Sequence, residues 1–156
     1  MEAVAVESAV HELIIFQVGN ILCAASIAQV QEINQNLRIT PVHHAPEYVK
    51  GVVNLRGQIV TVIDLGQKFG VEAVEQHTDR CIVVVRFAKE LIGLLVDDVQ
   101  DVIWARASDI EATPGNVSGI QGAFFSGIYK MSQGLVAIVN FEEVLKYDSG
   151  IGSFDG

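Results

Sequence analysis

The segment Val49 to Leu65, VKGVVNLRGQIVTVIDL, limits what this chain can fold into more than any other stretch. An apolar run begins at Val52 and Val53. Asn54, Arg56 and Gly57 then break it with turn chemistry. Ile59, Val60, Val62, Ile63 and Leu65 resume it. The pattern predicts strand, turn, strand, with the second strand apolar on both faces and so buried on two sides. Arg56 is the only charge the turn presents. Nothing here has the look of a reaction centre. The stretch reads as a rigid platform that holds one guanidinium outward.

The platform occurs twice. Moved 76 positions without a gap, it falls on Phe125 to Phe141. Gly51 matches Gly127, Val52 matches Ile128, and Asp64 matches Asn140. Ile59, Val60, Val62, Ile63 and Leu65 match Leu135, Val136, Ile138, Val139 and Phe141. The upstream segment repeats at an offset of 69: Leu13–Phe16 on Ile82–Val85, and Val30-Gln31-Glu32-Ile33 on Val99-Gln100-Asp101-Val102. Two ungapped matches in the same order make one supersecondary unit used twice. Chance likeness among Val-rich strands could explain one segment, but not both in order.

The 156 residues allow one domain or two small subdomains, and a chain of this length buries about 70% of its extended surface. Valine and isoleucine supply 39 residues, which favours strands over helices. A formal charge of −9 with no Lys/Arg cluster argues against a nucleic-acid surface. Cys23 and Cys81 lie in apolar strand contexts and read as buried, reduced thiols. Met1 to Val10 has Glu2 and Glu7 and no basic residue, so no export signal is expected. Leu13 to Gln31 is uncharged for nineteen residues. Gly19-Asn20 inside it is a hairpin signal, so a strand pair is expected rather than a membrane span. A soluble, cytoplasmic protein is the reading.

In chain order, residues 1–10 are expected to be a flexible leader. Leu13–Val18 and Ile21–Ala25 form an antiparallel pair, and Ser26 starts a helical turn before Val30–Ile33. Asn34 to Thr40 is expected as a polar strand, Pro41 to Pro46 as a loop, and Gly66 to Phe69 as the close of the first unit. Glu72 to Asp79 reads as a connector. Cys81–Phe87 and Leu91–Val96 form a second hairpin that Val99 to Ala105 continues. Ser108, three residues before Glu111, predicts a capped turn. Pro114 to Gly122 reads as a loop, Leu135 to Asn140 as the last central strand, and Phe141 to Tyr147 as a closing helix. Residues 148–156 are expected to be a flexible tail. Short strands at this spacing suggest small closed barrels.

At this point the residues resemble a known family, the CheW-like coupling proteins of bacterial chemotaxis. The likeness spans residues 11 to 147. It rests on VKGVVNLRGQIVTVIDL, Val30-Gln31-Glu32-Ile33, Ala45-Pro46-Glu47-Tyr48 and GLLVDDVQDV from Gly93 to Val102. The resemblance implies a mainly β fold of two packed five-stranded SH3-like barrels around a shared apolar core, with short helices, one at the C-terminus. The first unit would cover about residues 11–70 and the second about 80–147, with exchange of the chain ends between them left open. It further implies a non-catalytic adaptor that links the cytoplasmic signalling tip of chemoreceptors to the regulatory domain of a CheA-type histidine kinase. Such an adaptor is recruited to membrane receptor arrays without inserting in the bilayer. It would be monomeric or weakly self-associating when alone. Related pathways of twitching motility or development use the same adaptor fold and remain an alternative. The chain departs from the family pattern at Leu22–Ala25, where an aromatic and Gly-Ile are usual, and at Thr61, where Pro is common.

The resemblance also implies a partner-binding set. Arg56 and Glu32 match positions implicated in coupling and close enough to pair. Val30, Ile33, Val99 and Val102 match a groove that takes the receptor's helical hairpin. The repeat adds its own evidence. Arg56 falls on Ser132, so the architecture does not require a charge at that turn, whereas Glu32 falls on Asp101 and both copies carry an acid. No catalytic residue, metal or cofactor is expected. His43-His44 could ligate a metal, but adjacent histidines point apart and read as a solvated loop. Asp97, Asp98 and Asp101 could bind a cation, but a strand places Asp97 and Asp98 on opposite faces, which reads as a solvated edge. No nucleophile with a base at recognisable spacing and no phosphate loop is present. A hydrolase or sugar-binding barrel is the rival class, and it would need a polar concave site.

Overall fold

The computed structural model describes residues 9–71 and 80–146. The connector Glu72–Asp79, the tail 148–156 and all but the end of the leader lie outside the described residues. Val10 already belongs to the first strand.

Hairpins carry most of the local order. β1 (Val10–Val18) and β2 (Ile21–Ser26) turn at Gly19-Asn20, with Val18 opposite Ile21 and Gly19 at φ 58°. The long uncharged run is therefore a strand pair. Among the described residues no helix is long and apolar enough to cross a membrane. Ser26 accepts from the Ala28 N–H and starts a 3₁₀ turn, Ile27–Gln29, before β3 (Val30–Asn34). β4 (Val49–Leu55) and β5 (Gln58–Asp64) are the two strands of the central stretch, and α1 (Leu65–Phe69) follows. The second unit supplies β6 (Cys81–Phe87), β7 (Glu90–Val96), β8 (Asp98–Arg106), β9 (Ile110–Glu111), β10 (Asn116–Val117), β11 (Ile120–Gln121), β12 (Phe125–Met131), β13 (Gly134–Val139) and α2 (Phe141–Val144).

Pairing assembles these strands into a sheet ordered β8-β1-β2-β13-β12-β9 and a sheet ordered β3-β6-β7-β5-β4, with β10-β11 as a small ribbon. The two orders are equivalent under the sequence repeat. β8 and β3, β1 and β6, β2 and β7, β13 and β5, β12 and β4 hold corresponding places. Even the parallel contacts correspond: Leu22 faces Val136 between β2 and β13, and Ile92 faces Thr61, one step on, between β7 and β5. Each sheet thus draws its first hairpin from one repeat unit and its remaining strands from the other. The second sheet has five strands, and the first carries a sixth, the two-residue β9. β9 pairs with β12 where Thr40 makes an isolated bridge to Val52 of β4.

The largest buried cluster includes Ile14, Phe16 and Cys23 from the first sheet and Val83, Val85, Leu94 and Val96 from the second, with Phe69, Phe125 and Phe141 among them. It is a core shared by both sheets. Val53, Val60, Val62, Ile82 and Val84 form a separate cluster within the second sheet, and Leu13, Ile15, Ala24 and Val136 one within the first. Alternating side chains therefore serve two cores at once, which is why the strands read as apolar on both faces. The Leu22–Ala25 departure places Cys23 and Ala25 opposite Phe16 and Ile14 in the shared core, and Thr61 is half-buried between Val52 and Ile92.

Several expectations change. The expected strand Asn34 to Thr40 is mostly loop: Asn34 ends β3, residues 35–39 pair with no strand although Leu37 and Ile39 pack on the second sheet's core, and Thr40 makes a single bridge. β5 is not buried throughout: Ile59 is 67% exposed and its repeat partner Leu135 54%, since each sits on the outward face of its hairpin, paired with exposed Asn54 or Lys130. Arg106, not Ser108, precedes the 3₁₀ turn Ala107–Asp109, and no side chain caps it. The expected loop Pro114–Gly122 contains the β10-β11 ribbon. The closing helix is the shorter Phe141–Val144, with Val144 buried and Leu145 half-buried. The Gly51–Gly127 match has a steric cause. A Cβ at Gly51 would run into the Thr40 carbonyl, and one at Gly127 into Ile110, where the bridging segment crosses each strand.

Candidate protein-interaction site

Arg56 and Gly57 are the two residues between the paired ends Leu55 and Gln58, at φ 52° and 87°. Two positive φ values in a two-residue loop make the hairpin turn that follows strand twist, and Asn, Asp and Gly suit it best. The Asn54 side chain steadies it by accepting from the Gly57 N–H at 2.9 Å. Ser118-Gly119 uses the same geometry, with Asn116 as acceptor. Arginine is thus tolerated by the turn rather than demanded by it. The equivalent Ser132-Gln133 turn is built differently: its positive φ falls on Gly134.

The Arg56 guanidinium meets Glu32 Oε1 at 2.6 Å, with side-chain exposures of 77% and 15%. Glu32 lies on β3 opposite Val84, whose side chain belongs to the second sheet's own core, so its carboxylate sits at the mouth of that core. Its other oxygen accepts from Asn34 Nδ2 at 3.2 Å. Among the described residues Asp101, the repeat partner, forms no ion pair and accepts from the backbone N–H of Val102.

Val30, Ile33, Val99 and Val102 share an arrangement that simple alternation would miss. Val30 and Ile33 are three residues apart, which puts them on opposite faces of a regular strand. The β3–β6 register shifts at Gln31, so Val30 faces Val85 and Ile33 faces Val83. A matching shift at Gln100 sets Val99 opposite Phe16 and Val102 opposite Ile14. Directly paired residues share a face. Each bulge therefore turns both valine–isoleucine or valine–valine pairs toward the shared core. Val30 and Val99 pack against that core, while Ile33 and Val102 are exposed beyond it. β3 and β8 are edge strands of their sheets, so the apolar row runs from core to solvent along two open edges.

A second ionic cluster had no clear signal in the sequence. Asp97 is buried rather than part of a solvated edge; Asp98 is exposed. Asp97 accepts the Gly19 N–H at 2.6 Å and meets Arg80 at 3.4 Å, and Arg80 also meets buried Asp64 at 3.1 Å. The cluster ties the β1–β2 turn of one sheet to the ends of β5 and β7 in the other. Asp64 also caps α1 by accepting from the Gln67 N–H, as Asn140 caps α2, which explains their match in the repeat. Burial pushes the Cys23 thiol far above its ordinary range. His43 and His44 lie in the exposed loop, and among the described residues no group of three or more His, Cys, Asp or Glu side chains is placed to hold a metal.

Fold and site define a class: a mainly β domain of two pseudo-equivalent sheets around one core, with an ion pair and apolar rows on its open edges. The CheW-like domain model matches residues 12–149, and the chain belongs to that family. It is 34% identical over 134 residues to the chemotaxis protein CheW of Rhizobium meliloti, covering 86% of each chain. It is 34% identical over 139 residues to the chemotaxis protein CheW of Helicobacter pylori, covering 89% of this chain and 84% of that one. Among solved structures, the scaffolding protein TtCheW of Thermoanaerobacter tengcongensis superposes with a TM-score of 0.85 at 28% identity, over 92% of this chain and 98% of that one.

Proposed function

We propose that this chain is a non-catalytic adaptor that couples chemoreceptors to a CheA-type histidine kinase in chemotaxis signal transduction. It works in the cytoplasm and is recruited to membrane receptor arrays. The mechanism is binding alone: the adaptor holds kinase and receptor in a geometry through which receptor state shifts the kinase between activity states. Val30, Ile33, Val99 and Val102 form the receptor-facing surface, and Arg56 with Glu32 the coupling site. Each contact is small and reversible, on the order of 1,000 Å² or less. Two pseudo-equivalent sheets let a partner of like fold bind at either end, a heterologous contact able to close rings. Alone, the chain is monomeric or weakly associating.

The observation that carries the reading is Arg56. It is an exposed charge, held in place by a half-buried acid, on a turn whose repeat copy does without one. The test is reconstitution of the full chain with a receptor signalling-tip fragment and the kinase. Binding of both partners and receptor-dependent kinase activity are expected. Failure to bind either partner would overturn the proposal, as would a tight homodimer at micromolar concentration for the monomer statement.

A further inference from the structure

Trp104 is the chain's only tryptophan, and it stands 66% exposed on the edge strand β8. A large aromatic side chain gains most from burial, and such residues are enriched at interface centres. Three observations place it. It pairs with Glu12 while Val102 pairs with Ile14 and Val99 with Phe16, so all three β8 side chains share the face that leads into the common core. Exposure rises along that row from half-buried Val99, through Val102 at 39%, to Trp104. The offset of 69 sets Trp104 on Gln35, so the first copy of the unit does without it.

We infer that Trp104 is a further receptor-contact residue, extending the Val99–Val102 row and fixing which helical tip this adaptor accepts; this rests on the function proposed above. The occupant follows from area and charge. Trp104, Val102 and exposed Val10 across the strand offer a few hundred Å², against about 800 Å² that each partner buries in a standard interface. That is too little for a site of its own, and a second copy of a chain carrying −9 is repelled. It suffices as an extension of a larger site. Val102 and Trp104 stand about 7 Å apart along the strand. Side chains one turn apart on a helix stand about 5–6 Å apart, so two successive turns of a helix can meet the pair.

A single tryptophan makes the test direct. The full-length protein is titrated with a receptor signalling-tip fragment that lacks tryptophan, and Trp104 emission is followed. A blue shift that saturates with binding is expected. Trp104→Ala should weaken tip binding about tenfold and leave binding of the kinase regulatory domain unchanged, with Trp104→Phe restoring most of the loss. Tip binding without an emission shift and with equal affinity for Trp104→Ala would overturn the inference and leave the adaptor reading standing. An emission shift driven by the kinase domain, or by protein concentration alone, would overturn it in favour of that occupant. If the parent protein does not bind the tip at all, the adaptor reading falls and this inference with it.

Discussion

Arg56 and Glu32 join the two opposite edges of one sheet. Glu32 lies on β3, at one end of the order β3-β6-β7-β5-β4, and Arg56 lies on the turn of the β4–β5 hairpin at the other end. A contact of 2.6 Å between them requires that the sheet curl until its edges approach. The pair marks a seam rather than a surface decoration.

The seam contributes little to stability. An ion pair with one partner this exposed is worth about 0–1 kcal/mol. Arg56 also occupies a left-handed position that asparagine fills more readily. Arg56→Asn should therefore melt at or slightly above the parent temperature, and Arg56→Ala within a few degrees of it. Both should fail to couple receptor to kinase in the reconstituted assay. Reversing both charges, Arg56→Glu with Glu32→Arg, separates two causes: recovery assigns the effect to the pair, and continued loss assigns it to contact with a partner. Full kinase activation by Arg56→Ala would remove the turn from the coupling site.

Val99 and Val102 should respond differently to the same change. Val99 packs on the shared core, so Val99→Glu buries an unpaired charge and should cost several kcal/mol in urea unfolding. Val102 lies beyond the core, so Val102→Glu should hold stability within about 0.5 kcal/mol while weakening receptor-tip binding. Equal destabilisation by the two changes would show that Val102 is core.

Arg80→Ala should destabilise the whole chain. It leaves Asp64 and Asp97 buried with their shared cation gone. Breaking a fully buried pair costs about 3–5 kcal/mol, and Arg80 is 28% exposed, so about 2–3 kcal/mol is expected. Because the cluster spans both sheets, denaturation should remain a single transition at lower denaturant. A second transition would mean that the sheets unfold separately.

Alkaline pH should reveal the Cys23 thiol. Burial raises its pKa above the ordinary 9.0, and the unfolded chain has no such burial. The unfolded state therefore loses its proton first, and this group's contribution is full below pH 9 and lost progressively above it. The loss approaches about 1.4 kcal/mol per pH unit. Urea unfolding between pH 7 and 10 should show it, and Cys23→Ala should flatten that limb. Cys23 should resist alkylation at pH 8 until the protein unfolds.

By itself, the sequence determined the main hairpins, the central turn, the Ser26 cap and the repeat. These depend on neighbours along the chain: turn residues at fixed positions, apolar runs between them, and a hydroxyl placed before a short helical turn. It also showed a charge at only one of the two matched turns, Arg56 against Ser132. Tertiary structure alone decided which hairpin joins which sheet. A repeat reads the same whether its copies fold apart or trade hairpins, because equivalent strands offer equivalent partners. Tertiary structure also decided the faces of Val30, Ile33, Val99, Val102 and Trp104. The bulges at Gln31 and Gln100 shift them against plain alternation, and a bulge is a property of pairing between strands. The Asp64–Arg80–Asp97 cluster stayed hidden for the same reason: each charge sits at an ordinary strand end, and only the packing of two sheets brings them within reach of one another.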